Sequence, residues 1–292
     1  MTVPFLKLQL AGNGFILVDL AQLEKNGTPL AIERFGLTAR TLCDRRYGVG
    51  ATACVFLGKD NAARIFGAQG QETREADDAY LCAARYAFDS GRLSGKSIIF
   101  PTPFGEKRLD VLGAHEFRLA LGSPFSLLTG KVIADGGQTI AETIEREGVR
   151  ASYSAIHVHD DAVVAFPGPE GVLSYGPFSA LVQKAFPGKQ VLPVIARAIT
   201  RETILVRTVP KRESGACTAA VAALVAGKLE GMVDAEAMVV FEQTGSDGQP
   251  DSAIARDRDN SRRLAAFWES NELSVIGSGG YLFEGKFDLS DE

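Results

Sequence analysis

Two clusters of side chains able to move a proton or hold an anion stand where a helix is expected to begin. Glu75, Asp77 and Asp78 surround the start of ADDAYLCAARYAF (76–88), and Arg212, Glu213 and Ser214 lead into GACTAAVAALVAGKLEG (215–231). A carboxylate in such a place can serve as a general base for a proton already acidified by conjugation, with Asp77 or Glu213 as the base and Arg212 binding an anionic group. A purely structural explanation stands beside this one. Acidic residues near a helix N-terminus stabilise the helix dipole by about 0.3–1 kcal/mol each and are common there for that reason.

The remaining reactive residue types point to less. His157 and His159 flank Val158, so on a strand both would share a face and a metal pair is conceivable. No third ligand is placed by the sequence, and Asp160 and Asp161 favour a turn, so no metal site is expected. The four cysteines, Cys43, Cys54, Cys82 and Cys217, are dispersed without Cys-x-x-Cys or Cys/His spacing. Neither a disulfide scaffold nor a zinc site follows, and a thiol-reducing compartment fits. The Gly12–Asn13–Gly14 turn lacks the spacing and the following helix of a dinucleotide loop.

Composition narrows the class further. With 292 residues, 46% of them hydrophobic and 23% charged, the chain can bury one large core or two smaller ones. A net charge of −5 with scattered basic residues argues against nucleic-acid binding. The one dense basic run, Arg256 to Arg263, alternates with Asp257 and Asp259 and reads as a solvated surface segment. No stretch approaches the roughly 20 apolar residues of a membrane-spanning helix, and the opening MTVPFLKLQLAGNGF lacks a basic leader and an apolar signal core. A cytoplasmic protein is expected.

The elements that must position these residues are mostly strands. FILVDL (15–20), ACVFLG (53–58), ARIFGA (63–68), SIIF (97–100), FRLALG (117–122), AVVAF (162–166), VLPVIAR (191–197) and TILVRTV (203–209) are short β-like runs separated by turn residues. Helices are expected over Ala76 to Phe88, Pro177 to Ala185, Thr218 to Leu229 and Asn260 to Glu269. The first and third of these occupy corresponding places: each follows a strand through a polar connection and carries Cys-x-Ala-Arg or Cys-x-Ala-Ala in its first turns. The third is apolar nearly all round, as a helix enclosed by a sheet should be. A duplicated half is plausible, each copy about 120 to 150 residues, near the usual domain size.

In order along the chain, FLKLQLAGNGFILVDL, TLCDRRYGVGATACVFL (41–57), RIFGAQGQE (64–72), CAARYAFDSG (82–91), LALGSPF (119–125), FPGKQV (186–191), VRT (206–208), GACTAAVAA (215–223) and YLFEG (281–285) resemble the successive motifs of diaminopimelate epimerases, a lysine-biosynthesis family. The resemblance implies an α/β (α+β) fold of two pseudo-symmetric halves, each a curved sheet wrapped around a central helix, with a small-molecule cleft between them. The halves would be 1–127 with the C-terminal strand 275–292, and 128–274. It also implies cofactor-independent isomerase chemistry on a small anionic or amino-acid-like ligand, with a homodimer possible. In the family, two cysteines at the starts of the two central helices remove and return an α-proton. A helix N-terminus lowers a thiol pKa, and its free N–H groups hold the substrate carboxylate.

The sequence departs from that pattern at the site. Aligned on Cys-Ala-Ala-Arg-Tyr, the first catalytic cysteine corresponds to Ala76, and in the second half the other corresponds to Arg212. Cys82 and Cys217 match the second, structural cysteine of each motif and are expected to be buried as small apolar residues. The loop between Val206-Arg207-Thr208 and the second helix, rich in Glu, Arg and Gly in the family, is shortened to Val209–Ser214. Gly67, Gln190 and Leu192 replace ligand-facing asparagines, and His159-Asp160-Asp161 replaces Asn-Pro-His, whereas Asn13 is retained. The ligand-contacting set implied by the resemblance is therefore Asn13, Asp78, Arg212, Ser214 and Gly215, and two-thiol epimerisation is not expected. A carboxylate-based isomerase, like the related phenazine-biosynthesis isomerases, and a non-catalytic member that binds a ligand or partner both remain open.

Overall fold

The computed structural model describes residues 1–92, 95–137, 141–146, 149–167, 173–209, 214–242 and 262–289. Contacts divide the chain into two units, one of Met1–Leu119, Lys211–Ser214 and Gly277–Glu292, the other of Ala120–Pro210 and Gly215–Ile276. The first contains β1 (Thr2–Leu10), β2 (Asn13–Asp19), α1 (Leu20–Lys25), α2 (Phe35–Cys43), β3 (Ala53–Leu57), β4 (Ala63–Gly67), α3 (Asp77–Asp89), β5 (Ser97–Thr102), β6 (Gly105–Gly113) and most of β7 (Glu116–Gly122). The second contains β8 (Phe125–Ser126), β9 (Glu142–Arg146), β10 (Val149–His157), β11 (Asp161–Ala165), α4 (Tyr175–Ala185), β12 (Leu192–Thr200), β13 (Thr203–Arg207), α5 (Gly215–Leu229), β14 (Glu236–Phe241), β15 (Arg263–Glu269) and β16 (Glu272–Gly277). The chain then returns to the first unit in β17 (Gly280–Asp288).

The two units repeat one topology. In the first, β1 and β2 pair antiparallel, β2 and β3 pair parallel across a helical crossover, β3 and β4 pair antiparallel, and α3 follows. In the second, β10 and β11 pair antiparallel, β11 and β12 pair parallel across α4, β12 and β13 pair antiparallel, and α5 follows. Each helix then leads into three strands joined antiparallel, β5–β6–β7 and β14–β15–β16. Two units with the same order and the same strand directions make α3 and α5 equivalent, and each is the helix its sheet packs upon. The strands β1, β2 and β3 contact α3, and β10 through β15 contact α5. This is the two-half α/β architecture that the motif order implies.

Local sequence explains the main elements. From Gly215 to Gly227 every residue of α5 is buried, and its alanines let strands approach on all sides while favouring the helix. The helix α3 buries Ala79 to Ala84 and Ala87 but leaves Arg85 and Tyr86 half-exposed and Asp89 exposed. The eight expected strands are all present.

One expected helix is a strand. Residues 263–269 form β15, paired antiparallel with β14 and β16, and Leu264, Ala266 and Trp268 point into the core at the two-residue period of a sheet. The helix-forming residues of LAAFWE yield there to burial on a pleated surface. Conversely, α2 was not expected, because Gly36, Thr38 and Thr41 lower its propensity; it is held by packing Phe35, Ala39 and Leu42 into a cluster with Phe56 and Phe66. Residues 256–261 of the basic run lie outside the described residues. Among the described residues no helix is long and apolar enough to cross a membrane.

Candidate functional site

The site is built outward from the turn between β1 and β2. Ala11 and Gly12 adopt φ of 51° and 84°, a tight reversal that makes Asn13 the first residue of β2 and turns its amide inward. Asn13 is buried, its Nδ2 donates to Asp78 Oδ2 at 3.0 Å, and its Oδ1 accepts from the Thr52 hydroxyl. Thr52 is fixed in turn by its backbone N–H, which donates to the Gly14 carbonyl at 2.8 Å. An amide held from both ends keeps one orientation, with its NH₂ toward the carboxylate.

At the start of α3, Ala76 occupies the N-cap with φ −147° and ψ 42°, and its carbonyl accepts the Tyr80 N–H at 3.0 Å to close the first turn. An alanine cannot cap, so one orphan donor of the first turn finds its acceptor elsewhere. The Asp77 N–H donates to Ser214 Oγ at 3.2 Å, and Ser214, grouped with the first unit, is fully buried. Asp77 Oδ1 receives Lys107 Nζ from β6 at 2.9 Å, and the same ammonium lies 5.9 Å from the centre of the Tyr80 ring. Asp77 and Asp78 are 1% and 0% exposed. Buried carboxylates are tolerated only with hydrogen-bonded or charged partners, which Lys107 and Asn13 provide.

Burial, with the Asp77 charge adding to it, pushes the Tyr80 phenol up to about 12, so Tyr80 stays neutral near pH 7. Burial also pushes the Cys82 thiol well up, with the Asp78 charge acting the same way. The Cys82 side chain packs where a Cβ on Gly279 would sit, 2.6 Å from Sγ, and Cys217 is likewise buried. Both cysteines fill the core as small apolar groups.

Asn13, Asp77, Asp78 and Ser214 of the sequence-derived set are thus joined through hydrogen bonds. Gly215 is buried as the first residue of α5, and Glu75 is half-buried beside α3, its carbonyl accepting from Thr73 Oγ1 at 3.1 Å. Arg212 and Glu213 lie outside the described residues. Thr52 and Lys107 were not anticipated. Thr52 sits inside the family-like GATAC step, a usable signal, whereas nothing local in GEKRLD (105–110) ties Lys107 to a helix thirty positions away. His157 ends β10 with Nδ1 2.7 Å from Asp161 Oδ1, and His159 falls in the turn beyond. No group of three metal-binding side chains occurs among the described residues.

No family model matches the sequence. A diaminopimelate epimerase from Pelotomaculum thermopropionicum is 29% identical over 242 residues, covering 78% of this chain and 84% of that protein. An O-ureido-serine racemase from Streptomyces lavendulae is 29% identical over 163 residues, 53% of this chain and about half (54%) of that protein's length. Among solved structures, a phenazine biosynthesis protein of the PhzF family from Bacillus anthracis superposes with a TM-score of 0.61 at 14% identity, covering 99% of this chain and 100% of that one. The repeated topology, the ordered motifs and these relatives agree, and together they support a diaminopimelate epimerase-like family for this chain.

Proposed function

We propose that this protein is a diverged member of that family which binds a small anionic or amino-acid-like ligand and does not run two-thiol epimerisation. The observation that carries this reading is the fully buried Ala76 at the N-cap of α3, where the resemblance puts the first catalytic thiol. The next thiol along the helix, Cys82, is six residues on, about 9 Å further along the axis, and its raised pKa keeps it protonated. Asn13, Asp78, Arg212, Ser214 and Gly215 are the proposed ligand contacts. The role needs no cofactor and suits a cytoplasmic protein.

A second reading, a cofactor-independent isomerase, is favoured by the Asp77–Lys107 pair. A lysine ammonium 2.9 Å from the buried carboxylate gives it a counter-charge and fixes its position, and a carboxylate suffices as base for a proton acidified by conjugation. Glu213 is the alternative base.

Incubation in deuterated water with diaminopimelate, other amino acids and conjugated carboxylic acids, followed by mass spectrometry, tests both. The first reading expects ligand-induced rises in melting temperature with no deuterium uptake. Uptake at the α-carbon of an unactivated amino acid overturns it. Uptake confined to a conjugated acid and abolished by Asp77→Asn selects the second.

A further inference from the structure

Beside the C-terminal half of α3, one face of the first unit's sheet carries a pocket. Strand register shows how it is built. Leu6 of β1 lies opposite both Leu17 of β2 and Glu284 of β17, and Pro4 lies opposite Lys286, so these side chains share one face of the sheet. Asp19, two residues beyond Leu17, lies on the same face. Together they floor a cavity of about 450 Å³, and Tyr86 of α3 stands over it as a wall. A second cavity of about 360 Å³, lined by Tyr281 and Leu282, adjoins it, because Leu6, Tyr86 and Glu284 border both.

The wall of the pocket is held in place by the protein itself. Tyr86 donates to Asp19 Oδ2 at 2.7 Å, and Asp19 also accepts from Arg92 and from the backbone N–H groups of Ala21 and Gln22. The Asp19 charge is therefore matched and its oxygens are occupied. The other two charged groups of the lining are not matched. Glu284 and Lys286 stand exposed on one face, roughly 7 Å apart along the strand, and neither is paired with a charged group among the described residues. The floor beside them, Leu6 and Leu17, is apolar.

We infer that this pocket binds a free α-amino acid with a large apolar side chain, in its zwitterionic form, at a site separate from the start of α3. Glu284 takes the ammonium and Lys286 the carboxylate. An α-amino acid carries both groups on one carbon, so the two long side chains converge on it from neighbouring positions of one strand face. The ligand side chain lies over Leu6 and Leu17 against the Tyr86 ring, and a longer one extends toward Tyr281 and Leu282. A ligand of one charge would answer only one of the two unmatched groups, which is why a zwitterion is selected. The volume falls within the roughly 300–1,000 Å³ of small-molecule sites. No residue of this pocket belongs to the contact set proposed above, so the inference does not rest on that reading.

Isothermal titration calorimetry of the full chain with L-phenylalanine and L-leucine is expected to show saturable binding of at least one, with a Kd at or below about 1 mM. For phenylalanine, phenethylamine and hydrocinnamate each keep one charge, and glycine keeps both charges without the side chain; each should bind about tenfold more weakly or worse. Glu284→Gln and Lys286→Gln, both at exposed positions, are each expected to weaken amino-acid binding about tenfold while leaving the melting temperature of the unliganded protein unchanged. Leu6→Trp, which fills the cavity from its floor, should abolish binding, with circular dichroism showing that the variant is folded. The inference is overturned if neither amino acid binds at that concentration, or if a singly charged analogue binds as tightly as its parent. Binding untouched by Glu284→Gln and Lys286→Gln overturns it equally, because the ligand then sits elsewhere.

Discussion

The helices α3 and α5 hold equivalent places in the two units and reach them by opposite means. In α5, burial runs unbroken from Gly215 to Gly227 through small, mostly apolar residues, and an ion pair, Lys228 with Asp135, comes in the last turn. In α3 the first turn is equally buried but ionic, Asp77 held by Lys107 and Asp78 by Asn13, while Arg85, Tyr86 and Asp89 further along meet solvent. Packing alone leaves a helix insensitive to pH and ligand charge. A buried ionic turn leaves it dependent on a few distant partners, which is the condition under which a helix start can answer to a ligand.

The strongest way to break the comparison is to put a charge into the apolar helix. Ala222→Glu buries a carboxylate with no partner built for it and should destabilise by roughly 4 kcal/mol or more, leaving little cooperative unfolding in urea. In α3 the charges are already present, and the damage comes from removing a partner. Lys107→Met leaves Asp77 buried without its ammonium and should cost about 2–3 kcal/mol in urea unfolding. That is below the roughly 3–5 kcal/mol of a fully buried pair, because Lys107 keeps some solvent contact. The double variant Asp77→Asn/Lys107→Met should recover much of the loss. If Lys107→Met is neutral, the ionic first turn does not hold α3 as described.

The difference between the helices also explains what the sequence could disclose. Runs such as TAAVAALVAG (218–227) carry their burial in composition, so α5 and its place were legible, and so was α3 through its alanines. Alanine at residue 76, where the resemblance puts a catalytic cysteine, could be read from motif spacing alone. The polar connections were not legible, because the ion pair from β6 to Asp77 and the bond from Thr52 to Asn13 join residues far apart in the chain, and each depends on strand register. The helix expected over 260–269 failed for a related reason. Alanine, leucine and glutamate favour a helix locally, and only the neighbouring strands β14 and β16 make a two-residue period the better burial.

Smaller in effect is the packing of α3 against the chain that leads into β17. A Cβ at Gly279 would lie 2.6 Å from the Cys82 sulfur and 2.8 Å from the Cys82 α-carbon, and that backbone atom cannot swing aside. Gly279→Ala should cost about 1–3 kcal/mol as an overpacking defect, read as a lower urea midpoint at unchanged m-value. Truncating the sulfur in Cys82→Ala/Gly279→Ala should recover only part, since the clash with the helix backbone persists. Complete recovery would mean that the thiol alone requires the glycine.

The smallest effect is the one that reaches the far end of α3. Asp19 accepts from Tyr86 at 2.7 Å, from the Arg92 guanidinium, and from the backbone N–H groups of Ala21 and Gln22 at 3.0 and 3.3 Å. Burial alone would raise its pKa, but the bonds from Arg92 and Tyr86 outweigh it and hold the carboxyl below its usual value. A folded pKa below the unfolded one means that the native state gains stability from ionised Asp19. That gain is fully present above the unfolded value of about 3.9 and is lost as pH falls through the lower, folded value. Urea unfolding followed from about pH 6 to about 2 should therefore show a shallower acid decline in Asp19→Asn than in the unmodified protein. Tyr86, pushed up to about 12 by burial and by its bond to Asp19, stays a donor over that whole range, so the acid limb reports the carboxylate. Identical acid slopes in the two proteins would show that the far end of α3 is fixed by packing and not by the Asp19 charge.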